Sequence, residues 1–231
     1  MSGFTLTRLI IGVALLLIAI IFFLVKIFFK NKAITAKFIT RTGIFSAISI
    51  IIYIIPYLKF SVPFFPAFLE LHFDEVPALI AGFAYGPLSA FFIILIKTIV
   101  KLPMSTSLCV GELADFLYSL VFVIPASLIY KKRRNIKFAL LGLLVSSLIQ
   151  IVVASIFTSF VILDFYIFMM GLSEESLIAM CQAVNPNVTS LGWTFCFYFG
   201  VPFNAFKDLL VVAITFILYK RMHNLIDKIK A

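Results

Sequence analysis

The sequence predicts an all-α protein that crosses a membrane several times, and three observations carry that prediction. Of the 231 residues, 63% are hydrophobic and only 13% are charged, whereas a soluble domain of this size needs a far more polar surface. Several runs reach the roughly 20 apolar residues that cross a hydrocarbon core. The cations are also grouped, in Lys26–Arg41, Lys131–Lys137 (KKRRNIK) and Lys220–Lys230, while nine of the ten acids lie elsewhere. Such grouping is the mark of cytoplasmic loops. The net charge of +9 would point to nucleic acid only on a solvated domain, and no stretch of the chain reads as one.

In chain order, Leu9–Phe29 is an uninterrupted apolar span closed by Lys26 and Lys30. It is too long for a secretory signal core and has no small-residue cleavage site, so a retained helix is expected. A basic loop leads to a second span, about Thr42–Leu58. Lys59–Phe73 is irregular because Pro56, Pro63 and Pro66 prevent a continued helix; its many phenylalanines predict that it folds onto the bundle. Helix resumes at Asp74, with Asp74 and Glu75 at the positive end and Pro77 in the first turn. Gly86-Pro87 then breaks it, and the chain continues to about Leu102. Further spans are Gly111–Tyr130, Phe138–Leu163 and Gly200–Tyr219. The last two are joined by a longer, more polar connection, Asp164–Phe199.

Parity tests the break. If residues 75–102 made one crossing, KKRRNIK would face outside; as two short legs turning at Gly86-Pro87 they leave KKRRNIK and the C-terminal cluster both in the cytoplasm. Each leg is too short to span a bilayer at 1.5 Å per residue. Such helices survive at membrane depth when protein buries them or they line a cavity. The expectation is therefore six core segments plus one extra N-terminal helix, with the C-terminus cytoplasmic and the N-terminus outside.

Charge inside the apolar runs is costly and marks function. Lys97 is such a charge. Glu112 and Asp115 lie one turn apart at a helix start and come near Lys97 or Lys101 if the legs pack as proposed. They read either as a structural ion-pair network or as ligand contacts. His72 has no second histidine or cysteine at metal-ligand spacing, so no zinc site is expected. Cys109, Cys181 and Cys196 read as free thiols packed among helices. There is no H-E-x-x-H, aspartate cluster for magnesium, or nucleotide-binding loop, which argues against an intramembrane enzyme and leaves any energy for transport to a partner.

The stretch FLELHFDEVPALIAGFAYGPLSAFFIILIK, followed by CVGELADFLYSLVFVIPASLIYKKRR and later VPFNAFKDLL, resembles the riboflavin-specific S components of energy-coupling factor (ECF) vitamin transporters. The likeness covers about residues 42–222. It implies a six-helix vitamin-binding bundle in a bacterial cell membrane, between an N-terminal portion (1–41) and a short cytoplasmic tail (223–231). It also implies partnership with a transmembrane coupling protein and two cytoplasmic ATPase subunits, riboflavin as transported ligand, no intrinsic cofactor and no catalysis by this chain. Another vitamin, such as pantothenate, in a reshaped pocket is the alternative.

The family's ligand-contacting Asn and Lys of the last helix fall at Asn204 and Lys207, although Lys207 also reads as a snorkelling lysine beside Asp208. The fifth helix's usual Asn falls at Thr158. In the first outer loop a usual Lys falls at Glu70, which should disfavour a phosphorylated ligand, and a usual Asp at His72. Leu69, Phe73 and Glu75 complete the expected contacts. The family couples to its partner through small residues on the first core helix. Here Thr42, Gly43, Ser46 and Ala47 supply them, with internal packing as the other reading.

Overall fold

Proline and glycine decide where the first helices stop. In a computed structural model, which describes the backbone of residues 35–228 and the side chains of residues 35–222, helix α1 (Ala36–Ile54) ends just before Pro56. The chain divides into two units, Met1–Lys37 and Phe38–Ala231, and the bundle belongs to the second. The apolar span Leu9–Phe29 lies outside the described residues.

After a 3-10 turn at Pro56–Leu58, two short strands, β1 (Phe60–Ser61) and β2 (Glu70–Leu71), pair antiparallel with Phe60 opposite Leu71. Pro63 and Pro66 fall in the connection, where no ladder hydrogen bond is required of them. Phe65 and Phe68 of this connection pack on Phe203 and Phe195, with ring centres 5.3 and 6.2 Å apart. The aromatic loop thus folds onto the bundle, as expected.

Helices α2 (Glu75–Tyr85) and α3 (Pro87–Lys101) are the two legs. Gly86 between them has φ 98°, a conformation that side-chain-bearing residues rarely adopt, and Pro87 opens α3 where its missing N–H costs nothing. At eleven residues α2 cannot span a bilayer. It packs against α3, α4 and α7, and every residue from Glu75 to Ala84 is buried. Enclosure by protein satisfies the condition under which so short a helix persists at this depth.

The remaining helices are α4 (Val110–Lys132), α5 (Ile136–Met170), α6 (Glu174–Gln182) and α7 (Val201–Lys228). Helix α4 packs on α5 and α5 on α7. Among the described residues, five helical stretches are long and apolar enough to cross a membrane, one of them α3 with its extension to Met104, so of the two legs only α2 is too short; with α2 they make the expected six core segments. Helix α5 contains a π turn at Thr158–Ile162, and α7 follows one helical turn, Trp193–Phe195, and a second π turn at Cys196–Gly200.

These wide turns correct the expected connection Asp164–Phe199. Leu163–Met170 continues α5, and helix resumes at Trp193, so only residues 171–192 connect the two, with α6 among them. Phe165, Ile167 and Leu172 pack at this end of the bundle, which is why the helix runs past Leu163.

Helix α1 presents two distinct faces. Thr42, Ser46, Ser49 and Tyr53 are its buried residues. Thr42 shares a hydrogen bond with Ser89 (2.8 Å), and the Ser49 hydroxyl donates to the Asp74 carbonyl (2.6 Å). Gly43 and Ala47 are exposed beside Ile44, Ile48 and Ile51. The four small residues therefore do not share one face: at 100° per residue, positions 42 and 46 point inward while 43 and 47 point away.

Candidate functional site

A cavity of about 330 Å³ opens between the β1–β2 loop and helices α4, α5 and α7, within the range typical of small-molecule sites. Its wall is supplied in layers. The β1–β2 region gives Lys59, Phe68, Leu69, Glu70 and His72; α4 and the segment before it give Ser107, Glu112, Asp115 and Tyr118. Thr158 and Tyr166 come from α5, and Phe195, Phe203, Asn204 and Lys207 from the last helical stretch.

Of the residues expected to contact a ligand, Leu69, Glu70, His72, Thr158, Asn204 and Lys207 line the cavity. Phe73 does not; it packs against Phe60. Glu75 does not line it either, and lies fully buried behind Lys207.

The π turns shape the inner wall. A π turn shifts the register of the helix beyond it and leaves a carbonyl outside the usual i→i+4 pattern. The Asn204 amide nitrogen donates to the Gly200 carbonyl (2.8 Å) and to the Ser155 hydroxyl (3.3 Å). Both amide hydrogens are thereby used, so its Oδ1 is left as the acceptor for the cavity. Thr158, at the first residue of the other π turn, shares a hydrogen bond with Tyr118 (2.7 Å).

Lys207 does not snorkel. It is buried, with its ammonium 3.3 Å from Glu75 Oε1 and 3.8 Å from Asp115 Oδ1. One helical turn separates it from Asn204, so a donor and an acceptor stand side by side on the cavity wall. Behind them, the buried Gln150 amide lies against the Asp208 carboxylate and donates to it when its nitrogen is turned toward the acid.

Lys97 is the hub of the buried charge. It is 0% exposed and donates to Asp74, to Asp115 Oδ2 (2.9 Å) and to Ser119 Oγ (2.9 Å). Its ammonium also lies 5.0 Å from the centre of the Tyr53 ring. Asp74 stands at the N-cap position of α2, at the positive end as expected, but its side chain makes no cap hydrogen bond; its carboxylate turns instead to Lys97 and His72. A buried lysine requires a counter-charge, and two carboxylates from different elements supply it.

Asp115 meets Lys97 as expected, but Glu112 pairs with neither Lys97 nor Lys101. It accepts hydrogen bonds from Ser105 (2.6 Å) and Ser107 (2.9 Å). Ligand atoms of His72, Asp74 and Asp115 fall within 4.8 Å of one another, a spacing that would suit a cation, but the Lys97 ammonium already bridges the two carboxylates.

The sequence reading missed the aromatic part of the wall: Tyr118, Tyr166, Phe195 and Phe203. Aromatic residues at helical spacing in a chain with 28 Phe give no signal that separates a ligand wall from ordinary packing.

Comparison with known proteins agrees with this architecture. A family model described as "ECF transporter, substrate-specific component" matches residues 37–219. The chain is similar to the riboflavin transporter RibU of Staphylococcus aureus (strain TCH60), at 30% identity over 80% of this chain and 90% of that protein. It is also similar to the riboflavin transporter FmnP of Bacillus subtilis (strain 168), at 24% identity over 82% of this chain and 95% of that protein. Among solved structures, the S component of a bacterial ECF transporter superposes with a TM-score of 0.63 at 28% identity, covering 82% of this chain and 96% of that one.

Proposed function

The chain belongs to the family of ECF transporter substrate-specific components, and from that premise we propose that it binds riboflavin for uptake across the cell membrane. One observation carries the choice of ligand: the free Oδ1 of Asn204 and the ammonium of Lys207 stand one turn apart on the cavity wall. The imide edge of an isoalloxazine ring presents an N–H flanked by carbonyls, which needs an acceptor beside a donor. Phe68, Phe195, Phe203 and Tyr118 offer apolar faces for the rest of the ring. That both relatives named above are riboflavin transporters supports the same ligand.

In this reading residues 42–222 form the vitamin-binding domain and residues 223–231 a cytoplasmic tail. The apolar span expected at Leu9–Phe29, which lies outside the described residues, would leave the N-terminus outside. A transmembrane coupling protein and two cytoplasmic ATPase subunits supply the energy. The cavity accepts ligand beneath the β1–β2 loop on the outer side, and no bond is made or broken in it.

The test is direct. The full chain purified in detergent is examined for the absorbance of any co-purified flavin and then titrated with riboflavin while the vitamin's fluorescence is followed. Saturable quenching is the expected result. No quenching, together with binding of a different vitamin such as pantothenate, would replace the ligand while leaving the family intact.

A further inference from the structure

Glu112 is a polar group on the cavity wall that the imide-reading pair leaves unused. It is only 5% exposed and belongs to the cavity lining. One carboxylate oxygen, Oε2, accepts both the Ser105 and Ser107 hydroxyls. Those same hydroxyl oxygens accept the backbone amides of Cys109 (2.8 Å) and Gly111 (3.0 Å). The segment before α4, with Leu108 and Cys109 in left-handed conformations (φ 50° and 71°), is thus tied to a single oxygen. The other oxygen, Oε1, has no hydrogen-bond partner among the described residues.

The charges around it make this carboxylate singular. Lys59 is paired with Glu70 at 2.9 Å. Lys207 is held by Glu75 and Asp115, and Asp115 by Lys97. His72 lies against Asp74 and Asp115. Among the described residues no cation comes within 4.0 Å of Glu112. Lys101, whose ammonium is 5.8 Å from the centre of the Tyr53 ring, is not part of the cavity lining.

We propose that Glu112 is a specificity-determining residue: its free oxygen accepts hydrogen bonds from the hydroxyls of a flavin's polyol chain, and its uncompensated charge excludes flavins that carry a phosphate on that chain. The inference rests on the riboflavin reading above and deepens it to a substrate class, neutral polyhydroxylated flavins. Glu112 lies one turn nearer the start of α4 than Asp115, and Asp115 is the residue that meets Lys207. Glu112, Ser107 and Tyr166 line the same cavity as Asn204 and Lys207, and in the proposed pose the side chain of a ligand whose ring edge is held at Asn204 and Lys207 lies toward them. A hydroxyl donating to a carboxylate makes a strong, charge-assisted bond. A phosphate monoester brings about −1.5 to −2 charges at neutral pH and meets a carboxylate there, while both ammonium groups on the wall already have counter-charges.

The experiment compares riboflavin, its 5′-phosphate (FMN) and lumiflavin, which has the ring without the polyol chain, by titration into the purified full chain. Glu112→Gln and Ser107→Ala are titrated in the same way. The unmutated chain is expected to bind riboflavin at least about a hundredfold more tightly than FMN. Glu112→Gln should shrink that ratio by at least about tenfold and leave lumiflavin affinity nearly unchanged. Ser107→Ala loosens the same segment without altering charge and should leave the ratio where it was.

Equal affinity of the unmutated chain for riboflavin and FMN would overturn the inference even if the Gln variant failed to fold. An unchanged ratio in that variant, or equal weakening of all three flavins, would also overturn it and leave Glu112 a purely structural residue. Binding of no flavin at all would remove the riboflavin reading with it, whereas riboflavin binding without discrimination removes this inference alone.

Discussion

The Lys207 ammonium lies 3.3 Å from Glu75 Oε1, 132 residues away in the chain, and the pair joins the start of α2 to the first turns of α7 beneath the cavity. Glu75 is fully buried and its second oxygen, Oε2, has no hydrogen-bond partner among the described residues. Lys207 therefore does two jobs: it faces the cavity, and it is the cation that makes the Glu75 carboxylate tolerable in the bundle. Substituting it tests both. Lys207→Met should destabilise the protein by about 3–5 kcal/mol, since it strands a buried charge, and should weaken riboflavin binding as well. Adding Glu75→Gln should recover most of the stability but not the binding. Thermal unfolding in detergent measures the first effect and fluorescence titration the second. A double variant no more stable than Lys207→Met would show that the pair does not carry this charge balance.

Asn204 separates binding from stability more cleanly, because its amide nitrogen is used within the protein and its oxygen is not. Asn204→Ala removes the cavity's acceptor. Leaving one buried polar group of the ligand unpaired costs about 1–3 kcal/mol, or roughly one to two decades in affinity. The Gly200 carbonyl and Ser155 hydroxyl lose a donor in the same change, so some loss of thermal stability accompanies it. Riboflavin affinity within a factor of two of the unmutated protein would remove Asn204 from the site.

Gly111 sets how closely α4 approaches α5. A Cβ at this position would lie 2.7 Å from the Tyr166 hydroxyl oxygen and 3.0 Å from Ser107 Oγ, both on the cavity wall. Gly111→Ala should push Tyr166 aside and cost about 1–3 kcal/mol, the range for overpacking. Tyr166→Phe removes the obstructing oxygen, so the double variant should be more stable than Gly111→Ala alone. Non-additivity of at least about 0.5 kcal/mol in a double-mutant cycle is the expected signature of contact; simple additivity would show that the two do not meet.

The hinge between α2 and α3 was legible because Gly86-Pro87 is a chemical punctuation mark. The pairing of Lys97 with Asp115 was legible because a lone cation in an apolar run demands an anion. Asp74 was not recognised as a second partner: a carboxylate at a helix start already has a sufficient local explanation, and nothing in the sequence reveals a lysine 23 positions away turning toward it. The ends of α5 and the start of the last helical stretch were misplaced for a related reason. π turns leave no compositional trace, and Asp164 and the turn residues around Asn185-Pro186 make the whole segment look like loop. Asn204 and Lys207 as ligand contacts came from resemblance to a family and not from their spacing, which any amphipathic helix would show.

The orientation in the membrane expected from the basic clusters can be tested chemically. Asn135 caps α5 inside the KKRRNIK-side turn, and Asn187 lies exposed between α6 and the last helical stretch. Cysteines at the two positions should differ in labelling by an impermeant thiol reagent applied to intact cells, with only Asn187→Cys reacting. Cys181 contributes little background, since burial pushes its thiol up to about 11 and the reactive thiolate is scarce at neutral pH. Labelling of Asn135→Cys from outside would overturn the two-leg topology.

The outward face of α1 gives the last prediction, which concerns the partner. Among the described residues Gly43 has no atom within 4 Å of the position a Cβ would take, and Ala47 is exposed, so a larger side chain at either site disturbs nothing inside the described bundle. Ser46, one residue before Ala47, is buried, and a leucine there would have to displace packed neighbours. Close helix contact in a membrane requires small residues at the contact. If α1 docks on a transmembrane coupling protein through Gly43 and Ala47, then Gly43→Leu and Ala47→Leu should abolish riboflavin uptake in cells. The purified variants should bind the vitamin with unchanged affinity and unfold at the same temperature. Ser46→Leu should instead lower the unfolding temperature. Normal uptake by both outward-face variants would place the docking surface elsewhere on the bundle, and loss of binding in either would mean that α1 contributes to the cavity from a distance and not to the partner contact.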